Sequence, residues 1–404
     1  MLRKFLAAFI SLAAAFTVTL SAVPNNEAYT AYAEAKIEVP YYYYQMSSDA
    51  KSAYRELREA ALECKEELTL DVSINQADFD MIAELLILHD PITFNVSDIG
   101  AHNITRRSAT FDISYTYDKA TFDKMTAAYE KRVDKVLAKL NDDMTTYEKI
   151  KKIHDLIINN AEYSLDTVNN ENIYGTIVKS RGKCDGYSKT FSYICSKAGI
   201  RTVTVIGSDL NSPGDIMHMW NKVYYKNKWY NVDVTWDDPV GNMTENMTYN
   251  YFMVSDKALT KTHSENNGSF KAPEATDDSK SYYKVYKKYA EDMDSAKSIM
   301  KKELKTATKK GKTTISFQCS SEKVFNSVKD YVLNTKNVSA VLKDVKNSNN
   351  SKLASDLYSY TFEENRRIVK LIIFYEDTKI EKYFSTLDGI SDEMIDVLAK
   401  HGIE

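Results

Sequence analysis

The sequence predicts an α+β protein in which a helix and an antiparallel sheet occupy the middle of the chain, with small α+β units on either side. Three observations carry this. From Asp185 onward Tyr187, Phe191, Ile194, Cys195 and Ala198 recur at three- and four-residue spacing and Gly199 follows, as in a helix that buries one face and stops at a glycine. Residues 217–225 and 228–236 are rich in aromatic and β-branched side chains and are separated only by Lys226-Asn227, the pattern of a hairpin. Outside this middle third a strand, helix, strand order occurs twice, at 68–72, 76–88 and 109–117 and again at 313–319, 322–333 and 367–375.

Taken in order, residues 1–33 read as a secretory signal: Arg3 and Lys4, an apolar run over 5–23, and Ala31 and Ala33 as small residues at the cleavage positions. The run just reaches spanning length, so a retained anchor is the alternative. Residues 34–140 form an N-terminal α+β region, with helices expected over 48–66, 76–88 and 121–140. The middle domain, 141–272, opens with Thr145 and Glu148 as a capping box, and its first helix turns Ile150, Ile153 and Ile157 to one side. A polar stretch within 273–289 reads as a linker, and 290–404 is a C-terminal α+β region in which 343–355 is a polar excursion without periodicity. The repeated strand, helix, strand order, with Asn75-Gln-Ala-Asp matching Ser320-Ser-Glu-Lys at the helix entries, fits a degenerate duplication or convergent packing equally.

The chemistry-bearing residues are Cys184, His218 and Asp233, in that order. A thiol attacks a carbonyl as thiolate, so it needs a base in hydrogen-bond reach, and the base needs a partner that fixes its tautomer. At a helix start Cys184 meets free N–H groups and the positive dipole end, which favour thiolate. Gly182 and Gly186 flank it with little bulk, as close approach of a substrate requires. If Lys226-Asn227 is the turn, Tyr225 faces Lys228 and Trp220 faces Asp233, which makes His218 and Asp233 diagonal neighbours on one face. A one-residue slip would part them. The other candidates have simpler readings. His154 shares a face with Ile150, Ile153 and Ile157 and reads as a core histidine; His263, in a polar segment, reads as capping or packing. Cys64, Cys195 and Cys319 read as small buried hydrophobes. Asp237 and Asp238 read as a strand end; a calcium site joining them to Glu245 lacks the spacing of a calcium hand, and no metal or cofactor is expected.

Gly182-Lys-Cys184-Asp-Gly-Tyr187, then His218-Met-Trp220-Asn221, then the run from Lys228 to Pro239 resemble the transglutaminase-like branch of the papain-like cysteine enzymes, especially its secreted bacterial members. The similarity extends back to Thr145 and forward through Tyr251-Phe252-Met253-Val254-Ser255-Asp256 to His263. The resemblance implies a papain-like transglutaminase core, with Cys184 as nucleophile, His218 as general base and then acid, and Asp233 as its orienter. Asp185 stands where many relatives carry glutamine and Met219 where a small residue is usual, which bears on substrate choice more than on chemistry. The resemblance covers hydrolysis of a thioester by water and its capture by an amine. Without an amine-guiding pocket in the sequence, a peptidase or amidase acting on peptide or protein amides is the expectation. A cross-linking transglutaminase, or a wall- or protein-binding module with an idle triad, is the alternative.

Composition narrows the partners. The 404 residues carry a net charge of −4 and no sustained basic stripe, so nucleic acid is not an expected partner. A peptide or protein is, cell-wall peptide included, with no membrane partner once the signal is removed. Four cysteines do not make a disulfide scaffold, and the 29 tyrosines are explained by aromatic strand faces. The protein is expected outside the cell, free or associated with its surface.

Overall fold

The computed structural model describes residues 39–376 apart from 213, 215 and 239–246. The expected signal, residues 1–33, and Glu245 lie outside the described residues.

Apart from Cys184–Lys197, the long helices begin where a side chain can satisfy their free amides. Ser47 accepts from Ala50 N–H ahead of Ser48–Leu62, Asn75 and Asp78 form a capping box ahead of Gln76–Glu84, and Thr145 and Glu148 form the expected box ahead of Thr146–Ile158. The helix expected over 121–140 runs Lys119–Leu137 and is capped by Asp118.

A five-stranded antiparallel sheet stands at the centre. Its strands lie in the order His263–Glu265, Thr202–Asp209, Ile216–Tyr225, Lys228–Val232, Phe252–Val254. The hairpin has the expected register, with Tyr225 opposite Lys228 and Asn221 opposite Val232. Lys226 and Asn227 hold φ of 48° and 62°, the left-handed pair that a two-residue turn needs to match strand twist. The second strand ends at Val232 rather than at residue 236, and the chain turns away from the ladder directly at Asp233.

Both faces of this sheet are covered. Val223, Tyr230, Val232 and Phe252 share a core with Tyr187, Phe191 and Ile194 of the helix Cys184–Lys197 and with Ile150, Ile153 and Ile157. Val203, Val205, Trp220, Trp229 and Val254 share another with Tyr41, Tyr42, Tyr54 and Leu57 from the N-terminal end. Two-sided burial leaves six consecutive residues of Thr202–Asp209, from Thr202 to Gly207, buried.

The flanking units have one topology. A helix, a strand and then one α-helix in the N-terminal unit or two in the C-terminal unit precede a hairpin, and the first strand pairs antiparallel with the hairpin's second strand, giving Glu67–Leu70, Ala109–Tyr115, Val96–His102 in one sheet. In the other the order is Thr314–Cys319, Ile368–Tyr375, Leu353–Glu363, with Tyr289–Ala290 added at the edge. Val96–His102 escapes sequence reasoning because Ser97, Asp98, Gly100 and His102 dilute its alternation. The expected excursion over 343–355 is a misreading. It is the end of a helix, Thr335–Asn349, and the start of Leu353–Glu363. Val338, Leu342 and Val345 are buried at helical spacing, but two of them precede that window, and Asn350 in the left-handed region stops the helix as glycine would. The polar stretch read as a linker is pinned: Ala272 and Ala275 are buried, and buried Lys222 donates to Pro273 O at 2.9 Å.

Candidate active site

Cys184 is the first residue of its helix. Lys183 occupies the N-cap position in an extended conformation and its side chain gives no cap. Lysine there forgoes the roughly 1 kcal/mol that Ser, Asp or Asn would contribute. What remains is a helix start whose amides and positive dipole end surround a sulfur. The loop before it is tied down by Asn170, which accepts from Lys183 N–H at 2.7 Å through its backbone carbonyl and donates from its side chain to Ser164 O and Leu165 O.

The two glycines beside the thiol serve this packing rather than substrate approach, against expectation. A Cβ on Gly186 would lie 2.3 Å from Asn170 O, and one on Gly182 would lie 2.6 Å from Thr176 Oγ1. Both positions face protein.

His218 lies near the start of its strand, with its imidazole close enough to Cys184 for the thiol to favour its charged form. Its Nε2 is 2.6 Å from Asp233 Oδ2, with both side chains nearly sealed from solvent. Burial works against a charged imidazole, but the Asp233 carboxylate, its hydrogen bond and the contact with Cys184 prevail and push His218 up to about 10. Burial likewise opposes ionisation of Asp233, yet His218 and His263 hold its carboxyl well below the usual carboxylate range. Its other oxygen accepts from Thr235 N–H at 3.0 Å and Trp236 N–H at 3.1 Å, possible because the chain turns just there. Rings of Trp220 and Trp236 lie 6.0 and 5.6 Å from that of His218 and keep the pair dry.

The structure therefore brings Cys184, His218 and Asp233 together. It takes His154 elsewhere: that ring is buried between Asp155 and Asp237, at 3.1 and 3.3 Å, and braces its helix against the turn after Asp233. Asp237 also accepts from Thr248 Oγ1 and Tyr251 N–H. All four cysteines are free, and Cys195 and Cys319 are buried as expected. His263 does more than cap or pack. It is buried with Nε2 2.9 Å from the same Asp233 oxygen that His218 uses. Its three-residue strand is too short for periodicity to reveal this.

Residues 133–234 match the sequence profile of the transglutaminase-like superfamily, a span that holds Cys184, His218 and Asp233. The middle of this chain is a transglutaminase-like domain. Kyphoscoliosis peptidase of Mus musculus and of Homo sapiens are each 26% identical to it over 126 residues, 28% of this chain and 19% of theirs. Among solved structures, a TGase is 12% identical with a TM-score of 0.25, over 42% of this chain and 50% of that one. An arylamine N-acetyltransferase from Bacillus cereus is 17% identical with a TM-score of 0.23, over 28% and 51%. Outside its transglutaminase-like domain the chain is mixed helix and sheet on both sides.

Proposed function

We propose that this protein is a cysteine acyl enzyme that hydrolyses peptide or protein amides through Cys184, His218 and Asp233. The observation that carries the reading is the Cys184 thiol on an uncapped helix start, against an imidazole that a buried carboxylate holds at 2.6 Å. In this reading the pair rests as thiolate and imidazolium. The sulfur attacks the amide carbon, and the oxyanion faces the Cys184 N–H. His218 gives its proton to the leaving amine as the C–N bond breaks, leaving a thioester. It then takes a proton from water, whose oxygen attacks the thioester, and the thiolate returns as the acid departs. That a relative is named a peptidase, Kyphoscoliosis peptidase, supports water rather than an amine as the second nucleophile in this reading. The leader-like residues 1–33 support action outside the cell, on peptides that include those of a wall.

The test is to incubate full-length protein with a mixed peptide pool, with and without a primary amine, and to read products by mass spectrometry against Cys184→Ala. New termini that require Cys184 support hydrolysis. Amine adducts in their place would make the enzyme a transferase, and products that persist in Cys184→Ala would end the reading of this site.

A further inference from the structure

Asp233 does not serve His218 alone. His263 opens the edge strand opposite Asp209, and Gly207 faces His218 one strand further in. A Cβ on Gly207 would lie 1.8 Å from Ser264 O, so the edge strand can approach closely enough for His263 to reach the carboxylate only because that residue is glycine. We propose that His263 is a positioning residue of the triad. As a neutral ring protonated on Nε2 it donates to Asp233 Oδ2, holds that oxygen between two imidazoles, and limits how firmly Asp233 retains the proton of His218. The proposal rests on the reading of Cys184 and His218 as the reacting pair.

The tautomer follows from counting protons. Asp233 is ionised and accepts only, so the His263 nitrogen 2.9 Å from it carries hydrogen. The other ring nitrogen, Nδ1, is 2.8 Å from Thr262 Oγ1, while that hydroxyl is 3.1 Å from Leu259 O. The hydroxyl can donate to either partner, but Leu259 O already accepts from Thr262 N–H at 2.8 Å, which frees the hydroxyl proton for the ring nitrogen; that nitrogen is then an acceptor, and the ring holds one proton. Burial and the neighbouring His218 keep His263 below the ordinary histidine range, against the pull of Asp233 and Asp209. A second imidazolium 5.3 Å from that of His218 would face like charge in a dry site.

The groups around the two rings are few. They are Cys184 on its helix, Asp233 after its strand, Asp209 on the strand between them, and Tyr251, whose ring is 5.5 Å from that of His263. Asp209 is occupied by Asn211 N–H and Ser212 Oγ. The His263 N–H is thus the polar contact that divides Oδ2 between two donors. Without it, the full charge of that oxygen falls on His218, whose imidazolium becomes harder to deprotonate and a slower acid toward the leaving amine.

The experiment uses full-length protein and the rate of Cys184 alkylation by iodoacetamide, mapped by mass spectrometry across pH, so that no substrate is needed. His263→Phe keeps a ring among Trp220, Trp236 and Tyr251 but no donor; His263→Gln keeps an N–H. We expect the alkaline limb of the Phe variant to move up by about half a pH unit or more and that of the Gln variant to return toward the parent. Thr262→Val, which removes the ring's proton donor while keeping the side chain's size, should move it in the same direction and stands in if the Phe variant does not fold. A Phe or Val variant with the parent's limb, or a Gln variant that follows Phe, overturns the proposal. A parent whose Cys184 is no more reactive than its other thiols overturns the reading of the site and this proposal with it.

Discussion

Asp233 Oδ2 lies 2.6 Å from His218 Nε2, and the backbone N–H groups of Thr235 and Trp236 hold the opposite oxygen of the same carboxylate. The carboxylate is fixed at both ends, and Nδ1 is the imidazole nitrogen left for the thiol. Asp233→Asn keeps the acceptor for the two backbone amides but turns an N–H toward two ring N–H groups. Turnover should fall by about 10⁴-fold, against about 10⁶-fold for Cys184→Ala or His218→Ala, by analogy with other triads. Equal losses for all three variants would argue that Asp233 matters for folding rather than orientation, which a thermal melt would reveal.

Native protein should lose one thiol to iodoacetamide, and that thiol should be Cys184. Burial raises the Cys195 thiol well above its ordinary range and pushes Cys319 up to about 12, and it raises Cys64 despite a contact from Asn95. Peptide mapping after brief labelling checks this; label on Cys195 or Cys319 before Cys184 would contradict the arrangement.

Activity should be bell-shaped against pH. The acid limb reports formation of the thiolate–imidazolium pair and the alkaline limb its loss, as His218 deprotonates near pH 10. The same shifts fix the sign for stability. The raised His218 contributes fully below the unfolded histidine value and loses its contribution as pH climbs toward 10. The depressed Asp233 contributes above the ordinary carboxylate range and loses its contribution on strong acidification. Thermal melts of parent and His218→Ala should therefore differ at neutral pH and converge toward both extremes.

Gly186→Ala should weaken the fold and the site together. The added carbon meets a backbone carbonyl at 2.3 Å, so either the Asn170 loop or the first helical turn moves. A loss of about 1–3 kcal/mol in denaturant unfolding is expected, with slower alkylation of Cys184. Unchanged alkylation would show that the loop yields and the thiol does not.

The hairpin offers a change of opposite sign. Lys226 and Asn227 both sit in the left-handed region, where Asn-Gly is better suited. Replacing them with Asn and Gly should stabilise the protein by about 0.5–1 kcal/mol and leave turnover unchanged, because the register of His218 and Asp233 is kept.

What could be read from the sequence followed from local periodicity and pair spacing. Tyr187, Phe191 and Ile194 mark the helix that presents Cys184, and a two-residue turn fixes which side His218 and Asp233 share. What escaped depended on contacts between distant segments. His263 reaches Asp233 from the far edge of the sheet through a strand of three residues, and Gly186 is glycine because of a carbonyl sixteen positions earlier in the chain. The helix Thr335–Asn349 was hidden for another reason. Its apolar face is three residues wide among lysines and asparagines, too sparse to stand out until the C-terminal sheet covers it.

The two flanking units share a topology but not a relation to the centre. Trp220 and Val205 of the central sheet belong to one core with Tyr41 and Leu57, whereas the core of the C-terminal unit holds no residue before Ala290. Arg366 ties that unit to the centre by donating to Asn250 O and Ala258 O. In assembly terms the N-terminal half is a wall of the catalytic room and the C-terminal unit an adjoining building. The first cannot be removed without exposing the sheet that holds His218, while the second keeps a core of its own and meets the centre through polar contacts such as those of Arg366.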